Sequence, residues 1–367
     1  MITSQMIKKC LDEMSGITHM GFSVQDLNGN SIAATDGMAI PDAEVVTVFA
    51  RSAADSQIMG TSYLLKVLDE SDPCYILTAS GSREYALMAA KMVAVQLQNL
   101  ISVCKERLDR NNFFQNLLLD NLLKVDIHNR ARKLRITNTE HRAVIIFDID
   151  PGKDGGCDAE TAAVQLLTGL FASQGDSYLT EVEENSVILI KALTSEDDYE
   201  TLEQCAVTAV DMLEAEAMVR ASAAYGTIVT ELKDLSKSYK EARMAMDVGR
   251  IFYAGRKILS YNELGIGRLI YQLPVNLCRM FLHEIFGDYD PSLIDQETLA
   301  TIQTFFANNL NVSETSRKLF VHRNTLVYRM DKLQRTTGLD IRTFEDAMTF
   351  RIAIMVNEYM KFLERKD

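Results

Sequence analysis

Residues 313–333, Ser-Glu-Thr-Ser-Arg-Lys-Leu-Phe-Val-His-Arg-Asn-Thr-Leu-Val-Tyr-Arg-Met-Asp-Lys-Leu, constrain this chain more than any other stretch. They read as two short helices joined by a tight turn. Ser313 is the expected N-cap, with Glu314 in the first turn, where the helix dipole favours a carboxylate. The first helix runs to about Leu319, and Phe320, Val321 and His322 make the turn. A second helix follows over 323–337, and Gly338 stands where a C-cap glycine belongs.

Laid out at about 100° per residue, the second helix separates two faces. Leu326, Met330 and Leu333 form an apolar stripe. Asn324, Thr325, Tyr328, Lys332 and Arg335 point the other way, with Arg323 and Arg329 at the margins. Side chains of these types bond phosphates and base edges, as a helix lying in the major groove must. Between 311 and 336 stand Arg317, Lys318, Arg323, Arg329, Lys332 and Arg335 against Glu314 and Asp331, a local net of +4 in a chain whose formal charge is −13. That reversal confines nucleic-acid binding to one domain. Asp295 is placed to cap a preceding helix bearing Leu299, Ile302, Phe305 and Phe306. Residues 343–346, Thr-Phe-Glu-Asp, resemble a capping box with Asp in place of Glu, opening a last helix. The domain is therefore expected to be all-helical, a helix-turn-helix reader without a wing.

The stretch 319–330, Leu-Phe-Val-His-Arg-Asn-Thr-Leu-Val-Tyr-Arg-Met, followed by Thr337-Gly338-Leu339-Asp340, resembles the C-terminal domain of the carbohydrate-diacid and purine-catabolism regulators (CdaR/PucR type). The resemblance implies a bacterial transcription factor that binds an operator.

Ahead of this domain the chain alternates helix and strand, so the fold class expected is multidomain α/β. Residues 1–105 read as a PAS/GAF-like α+β sensor: a helix over 1–14, a hairpin over 19–35 turning at Asn28-Gly29, a helix over 43–54, and strands over 62–68 and 74–79. By position this segment corresponds to the sugar-diacid recognition domain of the family it resembles, though it departs from that domain's pattern. The family's Arg-Ile-Gly-x-x-His stretch is replaced here by Ala-Thr-Asp-Gly-Met-Ala-Ile-Pro-Asp over 34–42, and Arg51 and Arg83 are the only arginines in the first hundred residues. No ligand-contacting residue is assigned. Residues 106–140 are a helical connector; the apolar stripe that begins at Leu87 continues through Leu97, Leu100 and Ile101 to Phe114, Leu117 and Leu118, suiting a coupling or dimer-forming helix.

Residues 141–262 alternate strand and helix in the order of the family's GGDEF-like middle domain. The cyclising version of that fold needs a Gly-Gly-(Asp/Glu)-Glu-Phe turn so that backbone can approach nucleotide and an acid can hold Mg²⁺. Here residues 183–186 read Glu-Glu-Asn-Ser, and Asp148 and Asp150 are left as strand-end residues before a loop over 151–156. The domain is read as degenerate and non-catalytic, with no cofactor and no metal. No phosphate loop, nucleophile elbow or paired-histidine motif appears elsewhere. A helical bridge over 263–290 leads to the reader at 291–367, across the expected linker at 287–291.

No signal peptide is recognised, and no uncharged apolar stretch approaches about 20 residues, the length of a membrane span. The six cysteines lack metal spacing and suit a reducing, cytoplasmic setting. The reading is a one-component DNA-binding regulator answering a small metabolite, a sugar acid or other carboxylate, and working as a homodimer on double-stranded operator. A cyclic-dinucleotide-binding module or a protein-interaction scaffold is the alternative. Asn324, Thr325 and Tyr328 are expected at base edges, Arg323, Arg329 and Lys332 at phosphates or guanine, and Ser313, Arg317 and Lys318 on the DNA backbone.

Overall fold

The first hairpin shows how local chemistry sets the architecture. Asp26 accepts from the backbone N–H of Asn28 and of Asn30, both at 2.8 Å, and Gly29 takes φ +86° to close the turn. The computed structural model describes residues 2–81, 85–150, 152, 156–171, 177–182, 186–195, 198–287 and 289–366. The chain divides into two units, Met1–Asn116 with Asn129–Ile136, and Leu117–His128 with Thr137–Asp367.

The first unit opens with α1 (Ser4–Thr18), capped by Thr3, whose hydroxyl accepts from the Met6 N–H. Strands β1 (Gly21–Gln25) and β2 (Ser31–Ala34) form the hairpin, and α2 (Ala43–Arg51) follows. Then come β3 (Ser56–Met59), β4 (Ser62–Asp69) and β5 (Asp72–Ser80), and the long α3 (Ala86–Leu118) leads to α4 (Lys124–Lys133). The antiparallel sheet runs β2-β1-β5-β4-β3. One face buries Phe22, Val24, Val67, Leu77 and Ala79 against Ile7 and Leu11 of α1 and Ala90 and Val93 of α3. The other carries α2, whose Val46 and Phe49 pack on Leu64 and Ile76.

The hairpin, the helix after it and the β4–β5 ribbon match the sequence expectation closely. Strand β3 was not expected. All four of its residues are exposed, so no alternation marks it, and it is a strand because β4 offers it a ladder. By length and composition α3 reaches the threshold of a membrane span. It nevertheless buries Ala86, Ala90, Val93 and Leu97 in the core of its own unit.

The second unit is built on β6 (Thr139–Asp150), central and almost wholly buried between residues 142 and 149. Around it lie α5 (Gly156–Phe171), the hairpin β7 (Tyr178–Thr180) and β8 (Ser186–Ala192), α6 (Tyr199–Glu216), β9 (Arg220–Tyr225), β10 (Val229–Glu231), α7 (Leu235–Phe252) and β11 (Ile258–Ser260). The sheet order is β11-β9-β6-β8-β7, with β10 beside β6; among the described residues only β11 runs parallel to its neighbour. Gly226 lets α7 come close: a Cβ there would sit 2.0 Å from the Ser238 carbonyl oxygen. The short β10 was missed in sequence, being only three residues paired to the start of a strand far away in the chain. The expected turn at 183–186 lies, for residues 183–185, outside the described residues, as does most of the loop after Asp150.

Helices α8 (Gly265–Tyr271) and α9 (Val275–Phe286) join this domain to α10 (Gln296–Ala307), α11 (Val312–Lys318), α12 (Arg323–Thr337) and α13 (Phe344–Lys366). Leu326, Met330 and Leu333 of α12 are buried with Phe305, Ile302, Phe350 and Ala353. A second cluster, Ile270, Cys278, Val356, Tyr359 and Met360, has Ile251 and Phe252 of α7 packed against it. The apolar stripe read from sequence is the stripe that packs.

Candidate nucleic-acid interface

The reader helix is held by its ends and by two arginines. At its start His322 is the N-cap, with Nδ1 accepting from the Asn324 N–H at 3.2 Å. At its end Gly338, at φ +79°, donates to the Gln334 carbonyl at 2.8 Å. Arg342 spans the C-terminal half from outside: it donates to Asp331 at 2.8 Å, Gln334 at 2.8 Å and Asp340 at 2.6 Å. The Arg342 guanidinium holds the Asp340 carboxyl below its ordinary range.

The expectation for Ser313 is corrected. Helix α11 begins at Val312, two residues before the expected start, and its cap is Asn311, whose Oδ1 accepts from the Glu314 N–H at 3.1 Å. Ser313 lies inside the first turn, exposed. The signal was present, since Asn311 is followed three residues later by Glu314, whereas Ser313 is followed by Ser316. The capping box at Thr343 is half made. Thr343 Oγ1 accepts from the Asp346 N–H at 3.3 Å, but the Asp346 carboxylate turns to the Asp340 N–H at 2.9 Å. Asp295 caps α10 as expected, accepting from the Thr298 N–H at 2.7 Å.

Exposure sorts the expected DNA-contacting residues. Asn324, Thr325, Tyr328 and Lys332 are exposed along one side of α12, with Arg323 at its N-terminal end and Ser313 and Lys318 exposed on α11. Arg317 is exposed and paired with Glu314 at 3.0 Å. Arg329 departs from the group. Its guanidinium donates to Thr301 Oγ1 at 2.9 Å and to the Glu297 carboxylate, and its side chain is only 18% exposed. It ties α12 to α10, and a helical wheel cannot show this because the partners lie on another helix.

The middle domain holds the remaining chemistry. Asp148 is paired with Arg250 of α7 at 2.6 Å, and Asp150 accepts from the Gly152 N–H at 3.0 Å. A guanidinium thus stands against the carboxylate that a metal would otherwise neutralise. Among the described residues no group of three or more His, Cys, Asp or Glu side chains is arranged to hold a metal. Burial pushes the thiols of Cys10, Cys74 and Cys278 up and that of Cys205 up to about 11, away from the range of a reactive thiolate.

A helix-turn-helix whose second helix shows a polar, cationic face, joined to an α/β domain, defines a DNA-binding transcription regulator. Two family descriptions match the chain: a PucR C-terminal helix-turn-helix domain over residues 298–356 and a GGDEF-like domain over residues 120–248. The carbohydrate diacid regulator of Escherichia coli is 24% identical over 75% of this chain and 72% of its own length. The purine catabolism regulatory protein of Bacillus subtilis is 23% identical over 72% of this chain and 52% of its own. The DNA-binding transcriptional activator AdeR of Bacillus subtilis is 23% identical over 73% and 64% respectively. In both matched domains the chain is similar to the CdaR/PucR type of transcription regulators.

Proposed function

We propose that this protein is a one-component, cytoplasmic regulator in which a PAS/GAF-like N-terminal domain (residues 1–105) takes a small metabolite. A helical connector (106–140), a non-catalytic GGDEF-like domain (141–262) and a helical bridge (263–290) pass that state to the reader (291–367). A sugar acid or another carboxylate is the first ligand class to test, in keeping with the name of the Escherichia coli relative. The protein acts as a homodimer, because one helix-turn-helix covers only a half-site.

The observation that carries this reading is the two-sidedness of α12. Its apolar stripe is consumed by the domain core, which leaves Asn324, Thr325, Tyr328 and Lys332 to the outside. We assign the first three to base edges, Arg323 and Lys332 to phosphates or guanine, and Ser313, Arg317 and Lys318 to the DNA backbone. Arg329 belongs to the same surface as the residue that fixes the helix in place, because its donors already serve Glu297 and Thr301. The pairing of Asp148 with Arg250 supports a middle domain without a catalytic step.

Selection of genomic fragments by the purified full-length protein at fixed salt tests this function, repeated with a panel of small carboxylates. The expected result is enrichment of a palindromic site, with retention altered by one panel member. Failure to retain any fragment under every condition overturns the regulator reading.

A further inference from the structure

The turn between α11 and α12 has the complete hydrogen-bond pattern of a Schellman motif. The Val321 N–H reaches the Ser316 carbonyl at 3.1 Å, and the Phe320 N–H reaches Arg317 at 3.2 Å. That motif places its pivotal residue in the left-handed region, where glycine is preferred because a Cβ crowds the backbone there. The pivotal residue here is Phe320, at φ +54°. Its side chain returns nothing to the fold, since it is 96% exposed. Backbone strain and an aromatic ring in water coincide at one position, next to the cations the chain turns outward: Arg317 and Lys318 precede it, and Arg323 follows it. Unfavourable features that packing does not explain collect at functional positions.

We propose that Phe320 is an operator-contacting residue, its ring lying on thymine methyls or deoxyribose faces where the N-terminal end of α12 meets the major groove. The inference rests on the DNA-reading function of α12. An apolar ring brings no charge to phosphate, so it contributes to the specific complex and leaves the counterion term alone. Withdrawing a ring of this size from water in the complex suits a contribution of about tenfold in affinity.

The test is fluorescence anisotropy of full-length protein on the selected operator duplex and on a scrambled duplex, at several salt concentrations, with thermal melts of each variant. Phe320→Gly relieves the backbone, so its melting temperature rises by roughly 2–4 °C. Its operator affinity falls about tenfold, while affinity for scrambled DNA and the salt slope stay within twofold. Phe320→Tyr, which keeps the ring, restores operator affinity. If Phe320→Gly binds operator like wild type while Lys318→Ala still weakens binding, the ring is not on DNA and the proposal fails with the reader intact. If wild type prefers no duplex, the reading of α12 falls and the proposal with it.

Discussion

Arg323 and Arg329 stand on one helix and meet different fates. Arg323 faces water, while Arg329 is turned inward to Glu297 and Thr301. Lys318→Ala and Lys332→Ala should each weaken binding to every duplex alike and flatten the dependence of log K on log salt by about 0.9 per lost phosphate contact. Salt titrations on operator and scrambled DNA measure this. Asn324→Ala should relax preference at a single operator position; equal loss on all DNA would refute a base contact. At α11, Asn311→Ala should cost about 1 kcal/mol of stability and Ser313→Ala well under half of that, in chemical denaturation. The cap was legible in the Asn311–Glu314 spacing, so the error at Ser313 was one of choosing between two polar residues that stand two positions apart. The inward turn of Arg329 was not legible, because Glu297 and Thr301 approach it only after α10 folds against α12.

At the scale of elements, the position of α12 depends on two clamps, Arg329 to α10 and Arg342 along its outer side. Arg329→Met should lower operator affinity while leaving the salt slope unchanged, since the donors it loses faced protein rather than phosphate. An unchanged affinity would mean that the clamp is dispensable. The Asp340–Arg342 pair adds a pH dependence. The Asp340 carboxyl is held low by Arg342, so its contribution is present above about 3.9, the ordinary Asp value, and is lost as pH falls through the lower folded value. Acid unfolding followed by circular dichroism should shift to higher pH when Arg342 is replaced by Met. Elements with a strong local signal, such as the helical period of α12 and the continuous apolar run of β6, were visible in sequence. Strands β3 and β10 were not, because a short strand with no buried alternation exists only through its partner.

Over the second unit as a whole, α7, α8, α9 and α13 share one apolar cluster. Asp247 of α7 accepts from the Tyr271 hydroxyl at 2.7 Å, and the Tyr271 ring lies 5.6 Å from that of Tyr359 on α13. Burial pushes the Tyr271 phenol up, keeping it a neutral donor to Asp247. Met360→Ala should cost about 2–5 kcal/mol and raise hydrogen exchange in both α7 and α13. Faster exchange confined to α13 would show that the two domains open independently. The sequence by itself determined the reader: its apolar stripe, cationic face, turn and C-cap follow from residues close together in the chain, where helical period and capping chemistry act. The family resemblance followed from the same stretch. Only the tertiary structure decided which cations are turned outward, which strands exist at the sheet edges, and that Arg250 stands against Asp148. Each of those depends on groups far apart in sequence, and their free energy appears only once the packed core has brought them together.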